Sequence, residues 1–293
     1  MAEPLSSSGR SAGPAVDGPD DLVLPFSTDK SGIRGRLARM GGVVDTILSR
    51  HTYPDAVSEA LGQALALTAM LGQPLQPGGR LGIQTRTDGP IRFLLADYEA
   101  PGRLRGYASF DADRIAAMGA RPKQGDLIGS GHMAMTLERL GEEDRYQGIV
   151  ALDGQSLSAA ALTYFRQSEQ LPSYVRLAVA RQRVQGGDGW HWRAGGLLIQ
   201  HPKADVEDND DPPAPGDQEI DPTLPAERLL FRLFNEEDVR IYPGLKLDAK
   251  CRCSRERVQM FLTRFSEDDL AGLREPDGAI SVTCEFCNTK YSF

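Results

Sequence analysis

Apolar and polar residues alternate along three stretches between residues 21 and 200, and each stretch is interrupted by turn-forming residues. The first, GRLGIQTRTDGPIRFLLADY at residues 79–98, has an Asp-Gly turn and apolar positions on both arms: Leu81, Ile83, Phe93 and Leu95. Two further hairpins are predicted, over residues 133–152 with a turn at 141–144 and over residues 174–200 with the turn GGDG. Period-two alternation around such turns indicates antiparallel sheets.

Two segments between these hairpins have a helical pattern instead. Residues 54–72 begin with a proline, end with a glycine and carry apolar residues at helical spacing, which predicts an amphipathic helix packed on the sheet. Residues 156–170, SLSAAALTYFRQSEQ, form the second predicted helix. Hairpins interrupted by helices favour an α+β fold with an antiparallel-sheet core. No GxGxxG, P-loop or GxSxG sequence occurs.

The pattern changes after residue 200. Residues 202–225 are rich in Asp and Pro and nearly lack large apolar side chains, which predicts a linker. The following AERLLFRLFNEEDV predicts an amphipathic helix whose apolar stripe is formed by Leu229, Leu230, Leu233 and Phe234. We expect the core or the C-terminal region to cover this stripe, in preference to an exposed binding helix.

These changes divide the chain into four predicted regions. A disordered leader spans residues 1–20, an α+β core 21–200, an acidic linker with its helix 201–245, and a small cysteine module 246–293. The leader has no apolar signal-peptide region, so we expect a cytoplasmic protein, and no stretch reaches the length of a membrane span.

Charge argues against a nucleic-acid partner. The 293 residues carry a net charge of −8, and the cysteine module balances eight basic against eight acidic residues. With 40% hydrophobic and 25% charged residues the composition is that of an ordinary globular protein.

All four cysteines lie in the module, as C-x-C at Cys251 and Cys253 and, thirty residues later, as C-x-x-C at Cys284 and Cys287. Two close pairs of thiols are the donor set of a tetrahedral zinc site, which predicts one Zn²⁺ per chain. The four histidines lie outside the module and are interpreted as structural or surface residues: His51, His132, His191 and His201.

Three chemical roles remain open for these thiols. A closed four-cysteine site favours a constitutive structural zinc site. A thiol-disulfide oxidoreductase would use the C-x-x-C pair, although too few residues follow Cys287 for the usual helix. A redox switch is the third role, because neighbouring cations favour reactive thiolates, here Lys250, Arg252, Arg255 and Arg257.

The energy of zinc binding indicates what such a switch would do. Structural zinc contributes roughly 10–16 kcal/mol to the folding of small modules, whereas whole domains are stable by about 5–15 kcal/mol. A module of this size should therefore unfold when it loses its metal. If the helix after the linker packs on the module, that unfolding would expose its apolar stripe.

Several stretches of the chain resemble the bacterial thirty-three-kilodalton heat shock protein family of redox-regulated holdase chaperones: RYQGIVAL, YFRQSEQLP, AGGLLIQ, CRCSRERV and VTCEFCNTKY. The resemblance implies that Cys251, Cys253, Cys284 and Cys287 bind zinc when reduced. It also implies that oxidation expels the zinc, joins Cys251 to Cys253 and Cys284 to Cys287, and unfolds the linker. The implied active form is an oxidised homodimer that binds unfolding client proteins without ATP and catalyses no reaction.

The leading hypothesis from the sequence is therefore a redox-switched holdase. The alternatives are the oxidoreductase and a constitutive zinc-stapled interaction protein. Two surfaces qualify for client binding, namely the stripe at Leu229, Leu230, Leu233 and Phe234 and the sheet face of the core.

Overall fold

Two β-sheets enclose a long helix in the computed structural model, which describes residues 3–4, 20–119, 122–141, 145–183, 189–201, 224–276 and 278–293. The strands are β1 Glu3–Pro4, β2 Leu22–Thr28, β3 Arg34–Met40, β4 Arg80–Thr87, β5 Ile91–Glu99, β6 Arg103–Phe110, β7 Ser130–Glu138, β8 Tyr146–Asp153, β9 Ser173–Arg183, β10 Trp190–Gln200, β11 Val239–Ile241, β12 Leu245–Lys246, β13 Asp248–Ala249, β14 Ser281–Thr283 and β15 Lys290–Ser292. The helices are α1 Gly42–Leu48, α2 Asp55–Gly72, α3 Ala112–Ala117, α4 Gln124–Ile128, α5 Leu157–Tyr164, α6 Ala226–Leu233, α7 Arg255–Leu262 and α8 Glu267–Gly272.

The first sheet has the strand order β1-β11-β2-β3-β10-β9, with β12 also paired to β2. The second has the order β13-β6-β5-β4-β7-β8, and β14 and β15 form a separate two-stranded sheet. The described strand pairs are antiparallel, apart from the parallel pair of β13 and β6. The predicted α+β fold with an antiparallel-sheet core is confirmed.

Helix α2 lies between the two sheets. Its predicted span is confirmed, but the helix is buried on nearly all sides, with 13 of its residues inaccessible, so the predicted amphipathic character is wrong. The helix approaches both sheets closely. A Cβ at Gly196 of β10 would lie 2.6 Å from Met70 Cε, and one at Gly72 would lie 2.3 Å from the ring of Tyr98 on β5. These glycines allow the layers to pack at this distance.

The three predicted hairpins correspond to β4–β5, β7–β8 and β9–β10. In the first, Leu81 and Ile83 are buried as predicted, but Phe93 and Leu95 face away from the core, which receives Leu94, Ala96 and Tyr98 instead. The predicted side was wrong because the register shifts between Ile91 and Phe93, and a one-residue shift moves alternate side chains to the opposite face. Most of the predicted turns at 141–144 and GGDG lies outside the described residues.

The second predicted helix consists of two parts. Ser156 caps α5 by accepting a hydrogen bond from the Ala159 N–H, and the chain continues as a π-helical turn, Phe165–Glu169. Gln170 ends this turn in the left-handed conformation, with a φ of 52°. The predicted extent of residues 156–170 is confirmed.

Helix α6 covers the outer face of the first sheet. Alternate residues of β2 enter two different apolar clusters: Val23 faces α2, whereas Leu24 and Phe26 face the opposite side. Leu229, Leu230 and Phe234 pack against that second side, and the rings of Phe26 and Phe234 lie 5.3 Å apart. The sequence left open whether the core or the cysteine module covers the apolar stripe. The structure shows that the core covers it.

The domain boundaries read from the sequence stay predictions. Within the predicted linker, β11 and β12 hydrogen-bond to β2 of the core sheet, whereas residues 202–223 lie outside the described residues. Of the predicted leader, the structure describes residue 20 and the short strand β1, which pairs with β11. No helix in the described part of the chain is long and apolar enough to cross a membrane.

Candidate metal centre

The first cysteine pair lies between a strand and a helix that are both fixed. Strand β13 runs parallel to β6, and the Lys250 N–H donates to the Leu104 carbonyl at 3.0 Å immediately before Cys251. After the pair, Ser254 caps α7 by accepting from the Arg257 N–H. Cys251 and Cys253 therefore lie on a short loop with both ends held.

The second pair forms the turn that joins β14 to β15. The Cys284 N–H donates to the Thr289 carbonyl at 2.9 Å, and the Asn288 N–H donates to the Cys284 carbonyl at 2.7 Å. Asn288 has a φ of 57°, a conformation that asparagine tolerates better than most residues. The backbone thereby turns both thiols of the C-x-x-C pair toward the loop that carries the first pair.

The four sulfur atoms meet in one cluster. All four Sγ atoms lie within 4.8 Å of one another, with Cys251 and Cys284 at 3.6 Å and Cys253 and Cys287 at 3.2 Å. Four thiolates around Zn²⁺ at about 2.3 Å would place neighbouring sulfurs roughly 3.8 Å apart in a tetrahedron. The donor set and its spacing therefore fit a zinc ion. Both of these contacts join one cysteine of each pair and do not correspond to the disulfides that the resemblance implies.

Burial and hydrogen bonds give the thiols different acidities. Burial raises the pKa of Cys253 to about 12, against the opposing hydrogen bond from the Tyr291 hydroxyl at 3.2 Å. Burial also raises the pKa of Cys284. At Cys287, burial acts in the same direction, but hydrogen bonds with Thr289 and with the neighbouring thiols lower the pKa to about 6. The surroundings thus shift the pKa values of Cys253 and Cys287 in opposite directions.

The cations near the first pair bind other partners. Arg252 donates to Asp97 at 2.7 Å, the Arg255 guanidinium lies 4.5 Å from the centre of the Phe293 ring, and Arg257 donates to the Arg252 carbonyl at 2.8 Å. Burial sets the direction of the Cys253 pKa, and the expected effect of these cations on the first pair stays a prediction. The thiol with the lowered pKa is Cys287 of the second pair. Thr289, two residues later in the sequence, is the feature that could have indicated it.

In the described part of the chain the histidines are not part of the sulfur cluster, although His51 hydrogen-bonds the backbone of Glu285, directly after Cys284. His51 packs against the rings of Tyr53 and Tyr107, His191 Nδ1 lies 2.8 Å from Asp45, and His201 contacts the Ser31 carbonyl at 3.2 Å. Among the described residues, the candidate metal site consists of the four cysteines alone. The prediction that the histidines are structural or surface residues agrees with these contacts for His51, His191 and His201.

Sequence reasoning missed the residues that surround the cluster. Tyr291 on β15 donates to Cys253. Asp97 and Arg105 of the core contact Arg252 and Phe286 beside the cysteines, although they lie about 150 residues earlier in the chain. Contacts over such separations leave no local pattern. The C-x-x-C pair also lies in a hairpin turn and not at a helix N-terminus, which removes the usual activation of an oxidoreductase thiol.

Comparison with known proteins places this fold and this cluster in one family. A family model described as Hsp33 protein matches residues 21–293. The 33 kDa chaperonin of Caulobacter vibrioides strain NA1000 is 42% identical over 286 residues, with 93% of this chain and 94% of that protein covered. The 33 kDa chaperonin of Proteus mirabilis is 33% identical over 285 residues, with 93% of each covered.

A solved structure has the same fold. The 33 kDa chaperonin of Thermotoga maritima matches with a TM-score of 0.73 over 93% of this chain and 94% of that one, at 24% sequence identity. The resemblance noted in the sequence is thereby confirmed. The names of the relatives support a chaperone and indicate a non-enzyme. The chain belongs to the Hsp33 family.

Proposed function

We propose that the chain is a redox-switched, ATP-independent holdase that binds unfolding proteins and prevents their aggregation. The observation that carries this proposal is the convergence of four thiols within 4.8 Å in a module with few buried apolar residues. At rest, Cys251, Cys253, Cys284 and Cys287 would hold one Zn²⁺, which supplies the cross-link between two short chain segments. Such a module would depend on its thiols remaining reduced.

Oxidation would convert each cysteine pair into a disulfide. Formation of each disulfide removes two electrons and two protons from a pair of thiols, and one hydrogen peroxide accepts them to form two water molecules. We assign the pairs Cys251 with Cys253 and Cys284 with Cys287 on the family resemblance. Sulfurs committed to disulfides no longer coordinate metal as thiolates, so the ion would leave.

The chain path links this event to an apolar surface. Helix α6 is followed directly by β11, β12 and β13, and β13 ends at the first cysteine pair. An eight-residue helix is marginal in water without packing, so α6 depends on its contacts with Phe26 and Leu37 of the sheet. Loss of the module would loosen this segment from its C-terminal end.

Two apolar faces would then become available to clients. One is the helix stripe of Leu229, Leu230, Leu233 and Phe234, and the other is the sheet face that it covers. Unfolding proteins expose apolar segments, and contiguous apolar patches are the surfaces that bind them. We further propose a cytoplasmic location and a homodimer in the oxidised state, in keeping with the family.

Light scattering from a heat-unfolding client enzyme tests the proposal. The protein is added either reduced and zinc-loaded, or peroxide-treated and metal-depleted, or oxidised and then reduced again with zinc. We expect suppression of aggregation by the oxidised form and its loss on re-reduction. Equal activity of all three forms would contradict redox control and leave a constitutive zinc-stapled interaction protein.

Substitution of a cysteine tests the ligand assignment separately. Cys253→Ser or Cys284→Ser removes one thiolate, and we expect the zinc content of the purified reduced protein to fall from one ion per chain toward zero. Ser292→Ala, at an exposed position of β15 in the same module, is a matched control that should retain the metal. A normal zinc content in either cysteine variant would refute the assignment. Turnover of a small disulfide substrate would instead favour the oxidoreductase.

A further inference from the structure

The residue between the first two cysteines is directed at the core domain. Arg252 Nη2 donates to Asp97 Oδ2 at 2.7 Å, and its Nη1 lies 3.8 Å from Glu99 Oε2. Both carboxylates belong to β5 of the second sheet. The side chains of Arg252 and Asp97 are 25% and 16% exposed, so their interaction is screened less than that of a surface pair.

The second cysteine pair is directed at the same sheet. Phe286, between Cys284 and Cys287, packs under Arg105 of β6, whose guanidinium carbon lies 3.8 Å from the centre of the ring. The Tyr107 ring, two residues further along the same face of that strand, lies 6.5 Å from the Phe286 ring. Asn288 donates from Nδ2 to the Arg50 carbonyl at 3.2 Å. Each cysteine pair therefore encloses a residue that contacts the core.

One carboxylate connects the two contacts. Asp97 Oδ2 accepts from Arg252 and also from Arg105 Nε at 2.8 Å and Nη2 at 2.5 Å. Arg105 in turn holds the ring of Phe286. The arginine of the first pair and the phenylalanine of the second are thus attached to one Asp97–Arg105 unit on the sheet. We call Asp97, Arg105, Arg252 and Phe286 the docking surface.

We propose that the docking surface couples the core domain to metal retention: core contacts with Arg252 and Phe286 favour the converged arrangement of the four sulfurs, so that undocking promotes loss of the metal. This inference rests on the proposed metal site but does not require the chaperone activity. Arg252 and Phe286 each lie between two ligands, so their positions are fixed when the flanking sulfurs converge. Coupling of two equilibria is reciprocal, and metal loss should therefore also weaken docking.

The docking surface gives the core a role that zinc chemistry alone does not supply. Arg252 and Phe286 are positioning residues, since they act through the cysteines beside them. A module held by its ligands alone would lose metal at a rate independent of Asp97, whose carboxylate contacts no sulfur in the described structure. Dependence of metal release on this core residue is therefore the distinguishing property.

Metal transfer from the reduced, zinc-loaded, full-length protein to a chromogenic chelator tests the coupling. Asp97→Asn removes the shared charge, and we expect release to accelerate about tenfold, within the usual range of site-to-site coupling. Asp111→Asn is the matched control. Asp111 pairs with Arg92 at 2.6 Å on the same sheet and caps α3, a role that asparagine also performs. Equal release from both variants and the unsubstituted protein would overturn the proposal.

A second variant separates docking from damage to the core. Phe286→Leu keeps an apolar side chain in the module and leaves every core residue unchanged, and we expect it to accelerate release as well. Combining it with Asp97→Asn should give less than the product of the two single effects, since both act through one surface. Independent, multiplicative effects, or acceleration in Asp97→Asn alone accompanied by a lowered core melting temperature, would contradict the coupling.

Hydrogen exchange of the same proteins gives the reciprocal readout. Removing zinc should increase exchange at the Asp248 and Lys250 amides, which donate to the Gly102 and Leu104 carbonyls of the core at 2.8 and 3.0 Å. Unchanged exchange there would overturn the proposal while leaving the metal site intact. A reduced protein that retains no zinc at all would overturn both the proposed function and this coupling. The two failures are therefore distinguishable.

Discussion

The core domain and the cysteine module of this chain are held together by different forces. In the core, α2 alone contributes 13 buried residues between two sheets. In the described part of residues 246–293, the buried apolar side chains are Leu247, Leu262 and Ile280, whereas Met260, Phe261 and Leu273 are more than half exposed. Apolar burial stabilises a domain at about 25 cal/mol per Å², and the module has little of it.

This difference explains how one chain can be stable and switchable at once. A core built on apolar burial is indifferent to thiol oxidation, because it contains none of the cysteines. A module built around four thiols depends on their chemical state, since structural zinc contributes roughly 10–16 kcal/mol to small folds. Helix α6 lies between these two regions in sequence and packs on the core.

Removal of zinc should separate the two regions most clearly. We expect a chelator, added to the reduced protein, to unfold α7 and the β14–β15 hairpin while α2 and its sheets stay folded. Hydrogen exchange resolved by segment measures this. Amides of α7 should exchange within seconds, and those of α2 should keep protection near that of the zinc-loaded protein. Loss of protection throughout the chain would show that the comparison is false and that the metal supports the whole fold.

The sequence predicted the parts of this arrangement that have a local pattern. The paired strands of the hairpins, the span of α2 and the spacing of the cysteines are all periodic or short-range signals, and the structure agrees with them. The position of α6 on the sheet was one of two predicted covers, because a stripe such as Leu229 and Leu230 does not specify its partner. The contacts of Asp97 with Arg252 were missed, since 155 residues separate them.

The side of β5 that packs against the core was also missed from the sequence. Phe93 and Leu95 are together more apolar than Leu94 and Ala96, which favours them for the core. The register shift after Ile91 instead directs Leu94 and Ala96 toward the core. Period-two patterns report the side that a strand buries when the register is regular. A bulge has no reliable sequence signal of its own, and it inverts the assignment beyond it.

Leu230→Ala should release α6 while the metal stays bound. Leu230 is fully buried against the sheet, and large-to-small substitutions at such positions cost about 2–5 kcal/mol. Because α6 has eight residues and little stability of its own, this loss should expose the sheet face around Phe26. We expect the reduced, zinc-loaded variant to bind a hydrophobic fluorescent dye that the unsubstituted protein does not bind.

Phe231→Ala provides the control for that variant within the same helix. Phe231 follows Leu230 directly but is 58% exposed, so its removal takes no packing from the sheet. We expect no added dye binding and an unchanged zinc content. Dye binding by both variants would indicate that α6 is loosely held in any case, and the boundary between core and linker would have to be redrawn.

Tyr291→Phe should have the smallest effect, confined to the module. The Tyr291 hydroxyl donates to Cys253 Sγ at 3.2 Å, and this hydrogen bond favours the thiolate of a thiol whose pKa burial raises to about 12. Without it the pKa of Cys253 rises further, protons compete better with metal, and zinc affinity near neutral pH should fall about tenfold, the lower end of the effect of such outer contacts. Competition with a chelator measures the change.

Tyr242→Phe, which loses a hydroxyl contact with Ser27 at 3.0 Å on the core sheet, should leave the affinity unaltered. An equal loss in both variants would mean that metal affinity follows the stability of the whole chain, whereas a loss in Tyr291→Phe alone would place its control within the module.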